Sequence, residues 1–205
     1  MASKLPPVDQ IPSLSTEERV AILDLLFEPS TQLHTLSVPL LHDQKFTSYA
    51  ELIAAIGVQL TDLSESASTS DTTWLHSILG SHPRLGAKKV DSAQSHAEQA
   101  QLQGSDEETE QLRALNEEYE STFPGLRYVV FVNGRSRPVI MQDMRDRIAR
   151  SDTKSEQAAA IRVSRIVYTT YHNNLMYHRQ CVRSLLTGLR SCRSYFMHII
   201  VGPGS

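Results

Sequence analysis

Two stretches of this chain carry the same signal, a serine followed three residues later by a glutamate, immediately before apolar residues spaced by three and four. In "LSTEERVAILDLLFEP" the pair is Ser15 and Glu18, and in "SDEETEQLRALNEEYE" it is Ser105 and Glu108. Such a capping box satisfies two of the amides a helix leaves open at its start, so each pair predicts a helix N-terminus. After the first box, Val20, Leu23, Leu26 and Phe27 form the inward stripe and Pro29 ends the run; after the second, Leu112, Leu115 and Tyr119 turn inward. "FTSYAELIAAIGVQL" repeats the pattern from Thr47 or Ser48 with Leu52, Ile53 and Ile56 inward. "SASTSD", 66–71, reads as a polar loop, and "TTWLHSILG" as a short helix stopped by Gly80. "SRPVIMQDMRDRIARS" places Pro138 in a first turn and Ile140, Met144 and Ile148 on one face. Strand alternation is scarce. The exception is "LRYVVFVNG", 126–134, β-branched and aromatic but with no partner strand elsewhere, which reads as a buried extended connection. The class is all-α: a compact helical bundle of about seven to nine helices with one extended segment.

Composition narrows the function. The chain has 205 residues, 40% hydrophobic and 21% charged, enough for one ordinary domain with a real core. A net charge of −3 points to neither nucleic acid nor membrane, and no apolar run approaches the roughly 20 residues of a membrane helix. The charge is unevenly spread. Residues 161–205 carry six arginines and no acidic residue, whereas all 23 Asp and Glu precede them. The chain therefore divides into a helical domain, 1–160, and an atypical basic tail, 161–205. Cys181 and Cys192, both in the tail, make neither a disulfide framework nor a zinc site and suit a reducing compartment. No targeting signal is visible at either end, so a cytoplasmic or peroxisomal location is expected.

Three groups of residues could carry chemistry. In "GSHPRLGAKK", His82 precedes a proline, which pushes it out of helical conformation and fixes an imidazole just past a helix end. The plainer reading is a helix-end histidine. In "SAQSHAEQAQL", Ser95, Glu98 and Gln99 share one helical face, either a solvated face or a set of polar groups aimed at a ligand. Arg147 follows Ile140 by seven residues and Met144 by three, on the inward stripe, whereas Arg145 points away. A guanidinium there wants an internal carboxylate, a substrate anion, or an exit to solvent along the stripe edge. The eight histidines show no metal-ligand spacing, and there is no Gly-rich phosphate loop and no nucleophile elbow. What remains is an acid/base set that needs neither metal nor cofactor.

In order along the chain, "HPRLGAKK", "SHAEQ", "LNEEYESTF", "VVFVNGRS" and "MRDRIARSD" resemble the 2-oxo-4-hydroxy-4-carboxy-5-ureidoimidazoline (OHCU) decarboxylases of urate breakdown, most closely those of filamentous fungi, over about residues 12 to 160. The resemblance implies an all-helical fold, a homodimer, no cofactor, no metal, and conversion of a small oxidised urate product to (S)-allantoin. It implies His82 as catalytic acid/base and Glu98 as its partner, both acting on the substrate. Substrate contacts would come from Pro83, Ser95, Gln99, the extended stretch Tyr128, Val129, Val130, Phe131 and Val132, and Arg147. Two departures stand out: "TFPGLRYVV" replaces the family's Phe-Gly-Phe-Pro-Phe, bringing in Arg127, and the tail lacks the family's mixed-charge last helix. An alternatively spliced end or an arginine-rich segment for an acidic partner would account for the tail. The alternative function is a catalytically silent relative that binds a purine-like ligand or a partner protein.

Overall fold

The computed structural model describes residues 5–87, 105–132 and 134–163. Every described residue lies within the unit Met1–Thr169. This unit opens with a 3-10 helix, Val8–Ser13, followed by α1 (Thr16–Leu26), α2 (Thr31–Asp43), α3 (Tyr49–Glu65), α4 (Thr69–Leu79), α5 (Asp106–Thr122) and α6 (Arg137–Arg150). A further helix, α7, occupies 153–163 of the described residues. No β-strand occurs among them, and the fold is all-α.

Both capping boxes form. Ser15 accepts from the Glu18 amide and Ser105 from that of Glu108, with each glutamate returning a bond to the serine amide. Ser48 caps α3, and Leu52, Ile53 and Ile56 are buried as their spacing requires. On α1 the stripe is rotated from the expected one. Arg19, Ile22, Leu23 and Leu26 are buried while Val20 is half-buried. Arg19 can turn inward because Ile11 O and Pro12 O of the 3-10 helix accept from its guanidinium at 3.3 and 2.8 Å. The polar loop is shorter than its composition suggests, since Ser68 caps α4 and Thr69–Asp71 already belong to its first turn.

Two sets of helices pack: α1–α4 with the 3-10 helix, and α5 with α6. One apolar core runs through both, including Leu23, Leu41, Leu52 and Leu75 from the first set and Leu112, Phe123, Ile140 and Met144 from the second. Burying each such side chain stabilises the fold by about 1.5–3 kcal/mol. The extended segment 126–132 forms no strand pairing with another described residue, and its Tyr128, Val129, Val130 and Val132 are buried in this core.

Candidate active site

The His82 turn is laid along one face of α5. Residues 112, 116 and 120 of α5 are one helical turn apart, so they form a single row. The turn runs past them in reverse order. A side chain added at Gly86 would meet Leu112 Cδ2 at 2.9 Å, Asn116 Nδ2 donates to Leu85 O at 3.0 Å, and Arg84 grips Glu120. Gly80, just before the turn, lies so close to Gly125 that an added Cβ would fall 2.9 Å from the Gly125 carbonyl oxygen. His82 and Pro83 are both half-buried. Burial pulls the His82 imidazole down from 6.5 to about 4, so the ring is neutral at physiological pH.

The Arg84–Glu120 contact is a two-pronged ion pair, Nε to Oε1 and Nη2 to Oε2, each 2.7 Å. Arg127 Nη1 reaches the same Glu120 Oε1. Burial works against the Glu120 charge, but Arg84 and Arg127 outweigh it and hold the carboxyl below its usual range.

On another face of α5, Tyr119 begins a buried polar cluster. Its hydroxyl donates to Glu156 Oε2 at 2.8 Å, and its ring meets that of Tyr128 edge-on, with centroids 5.5 Å apart. Glu156, from α7, also accepts from Arg150 Nη2 at 2.8 Å and faces Arg147 Nη1 at 3.5 Å. Arg147 Nε pairs with Asp143 at 3.0 Å, and its guanidinium lies over the Tyr128 ring, 5.0 Å from the centroid. The Tyr128 hydroxyl donates to Asp143. Both phenols are pushed well above their ordinary value, first by burial and then by their carboxylate partners. Burial opposes the Arg147 charge, and Tyr128, Asp143 and Glu156 more than restore it. Of the readings open for Arg147, the internal carboxylate is therefore realised on Nε and Nη1, and Nη2 makes no hydrogen bond to a described residue.

A third contact links the two faces. Gln157 Nε2, next to Glu156, donates to His76 Nε2 of α4 at 2.8 Å, and burial keeps that imidazole below its usual value. His34 pairs instead with Asp24, and His42 receives a bond from Arg19. Ser95, Glu98 and Gln99 lie outside the described residues, as do Cys181 and Cys192. In the extended stretch, Arg135 occupies the carbonyls of Phe131 and Val132. The backbone groups of Tyr128, Val129 and Val130 make no hydrogen bond to another described residue, although all three residues are buried. Buried backbone without a partner is what a ligand or an ordered water satisfies. Among the described residues no three of His, Cys, Asp and Glu come together as metal ligands would, and no helix is long and apolar enough to cross a membrane.

Glu156, Asp143 and Glu120 are parts of this arrangement that residue spacing did not single out. Only Asp143 left a trace, four residues before Arg147 on one helix.

The family model described as OHCU decarboxylase matches residues 12–168. The chain belongs to the OHCU decarboxylase family. Membership implies a decarboxylase of urate degradation acting on a small molecule, and the match extends through α7 with its Glu156 and Gln157. A search of individually curated proteins returned no match.

Proposed function

We propose that this OHCU decarboxylase family member converts 2-oxo-4-hydroxy-4-carboxy-5-ureidoimidazoline to (S)-allantoin without a cofactor, as a homodimer, with His82 as the acid/base. The observation that carries the reading is a partly accessible imidazole held neutral in the turn past α4. The substrate supplies its own electron sink. When carbon dioxide leaves, the carbon–carbon electron pair moves into the ring and the neighbouring imine nitrogen takes up a proton from solvent. The hydroxyl on the same carbon then gives up its proton to become the carbonyl, and the adjacent ureido-bearing carbon gains one. A neutral imidazole is the form that accepts the hydroxyl proton, and the same ring, once protonated, can deliver it to one face.

In this reading Glu98 acts with His82 on the substrate, Ser95 and Gln99 bind its ureido and ring groups, and Pro83 contacts it. The backbone of Tyr128, Val129 and Val130, which bonds to no other described residue, supplies further hydrogen bonds, with Phe131 and Val132 completing the stretch. Arg147 reaches the substrate's negative charge through Nη2, its other nitrogens anchored by Asp143 and Glu156. The engagement of Arg147 by two protein carboxylates is also the observation that favours a silent, ligand-binding relative.

The experiment adds purified protein to freshly generated urate-oxidation products and follows allantoin by circular dichroism. Optically active product should form faster than in buffer, and His82→Asn should lose at least roughly 10²-fold in rate while staying folded. Racemic allantoin at the spontaneous rate would exclude the decarboxylase, and full turnover by folded His82→Asn would make His82 a helix-end residue only.

A further inference from the structure

We propose that Glu120 is a positioning residue for the reaction: its carboxylate, bridging Arg84 and Arg127, locks the His82 turn and the start of the extended segment onto α5. The proposal rests on the reading of His82 as the acid/base.

Glu120 sits one residue after Tyr119 on the last full turn of α5, where its two oxygens reach in two directions along the chain. One partner, Arg84, is two residues past His82. The intervening Pro83 has a fixed φ, so a displacement at residue 84 passes to the imidazole with little slack. The other partner, Arg127, adjoins Tyr128, the first residue whose backbone is expected against the substrate. One carboxylate thus fixes the distance between the proton-transferring ring and the backbone that would hold the substrate.

The chemistry of the contact suits this task better than it suits stability. The Arg84 side chain is 44% exposed and that of Arg127 is 34% exposed, and ion pairs this open contribute little to folding. A fork-on-fork guanidinium–carboxylate pair, however, admits one geometry, and the third group on Oε1 prevents the carboxylate from rotating away. Asn116, a turn earlier, holds the neighbouring Leu85 carbonyl, so losing Glu120 removes the α5 ion pair nearest His82 while the Asn116 contact stays.

The test compares full-length wild type with Glu120→Gln and Arg84→Lys in turnover, KM, melting temperature and the NMR titration of His82, assigned with His82→Asn. The glutamine keeps the shape and loses the charge; the lysine keeps the charge and loses the fork. Both should lower kcat by roughly 10- to 100-fold, the scale of a misplaced catalytic group, with KM little changed and melting within about 3 °C of wild type. The titration gives an independent sign. Removing a negative charge would by itself lower the imidazole value or leave it unmoved, whereas a loosened, better hydrated turn raises it toward 6.5. An upward shift in Glu120→Gln is expected. Unchanged kcat in either variant, or a kcat loss that only tracks a lowered melting temperature with the titration unmoved or lowered, would overturn the proposal. If wild type makes no allantoin while the titration still rises in Glu120→Gln, the functional reading fails and the clamp on His82 stands.

Discussion

Glu156→Gln should be among the most damaging single-atom changes in the described part of the molecule. The Glu156 side chain is fully buried, and its carboxylate takes a hydroxyl from Tyr119 at 2.8 Å and a guanidinium from Arg150 at 2.8 Å, with Arg147 at 3.5 Å. Breaking a buried ion pair by neutralising one partner costs about 3–5 kcal/mol, because the other charge stays behind. Here the remaining charges are not fully stranded. Arg150 is 52% exposed and turns to water, and Arg147 keeps Asp143 and the Tyr128 ring. The amide oxygen still accepts from Tyr119, but its NH2 group faces cations, so one hydrogen bond of the charge-assisted kind, about 1.5–3 kcal/mol, is lost outright. The expected loss is about 2–4 kcal/mol, or roughly 5–15 °C in melting temperature for a domain of this size. Tyr119→Phe removes a single neutral-donor bond and should cost about 1–2 kcal/mol. Urea unfolding followed by circular dichroism measures both. A Glu156→Gln protein within about 0.5 kcal/mol of wild type, the range of an ordinary surface change, would refute the view that this carboxylate holds α5, α6 and α7 together.

Two further predictions concern histidines. The folded state binds the His82 proton at about 4 and the unfolded chain near 6.5, so between these values the unfolded state holds more protons. Stability therefore rises with pH through that window and is lost as pH falls through it. His82→Asn should flatten this dependence by an amount on the order of 3 kcal/mol at most, and identical urea midpoints against pH for the two proteins would contradict it. At Gly125, φ is +87° and an added Cβ would lie 2.8 Å from His76 Nδ1, whereas Gly134, at φ +72°, has nothing within 4 Å. Gly134→Ala should lose about 1–2 kcal/mol for its backbone alone, and Gly125→Ala distinctly more; equal melting temperatures would show that His76 yields freely.

What the sequence made legible is local. The capping boxes at Ser15 and Ser105, the α3 stripe and the Pro138 start are all decided by residues within a turn or two of each other, and each formed as expected. α2 was not foreseen: Pro39 sits inside "TQLHTLSVPLLHD", and its buried Leu33, Ser37 and Leu41 make a thin stripe that includes a hydroxyl. Arg19 defeats pattern reading for another reason, since two of its acceptors are backbone carbonyls, which leave no mark in side-chain spacing, and the third is His42, 23 residues away. The same holds at the site. His82 shows itself because proline constrains it, and Arg147 because it breaks an apolar stripe, but Glu120 and Glu156 each join a nearby arginine to a partner 36 or 37 residues away along the chain.

The contacts of α7 also order events during synthesis. Tyr119, Arg147 and His76 are made first, yet each waits for a group on 153–163: Glu156 for the first two and Gln157 for the third. A nascent chain that has reached only α6 holds a phenol, a guanidinium and an imidazole in a half-closed core without these acceptors and donors. The last side of the core therefore cannot close until 153–163 has been made and has cleared the ribosome.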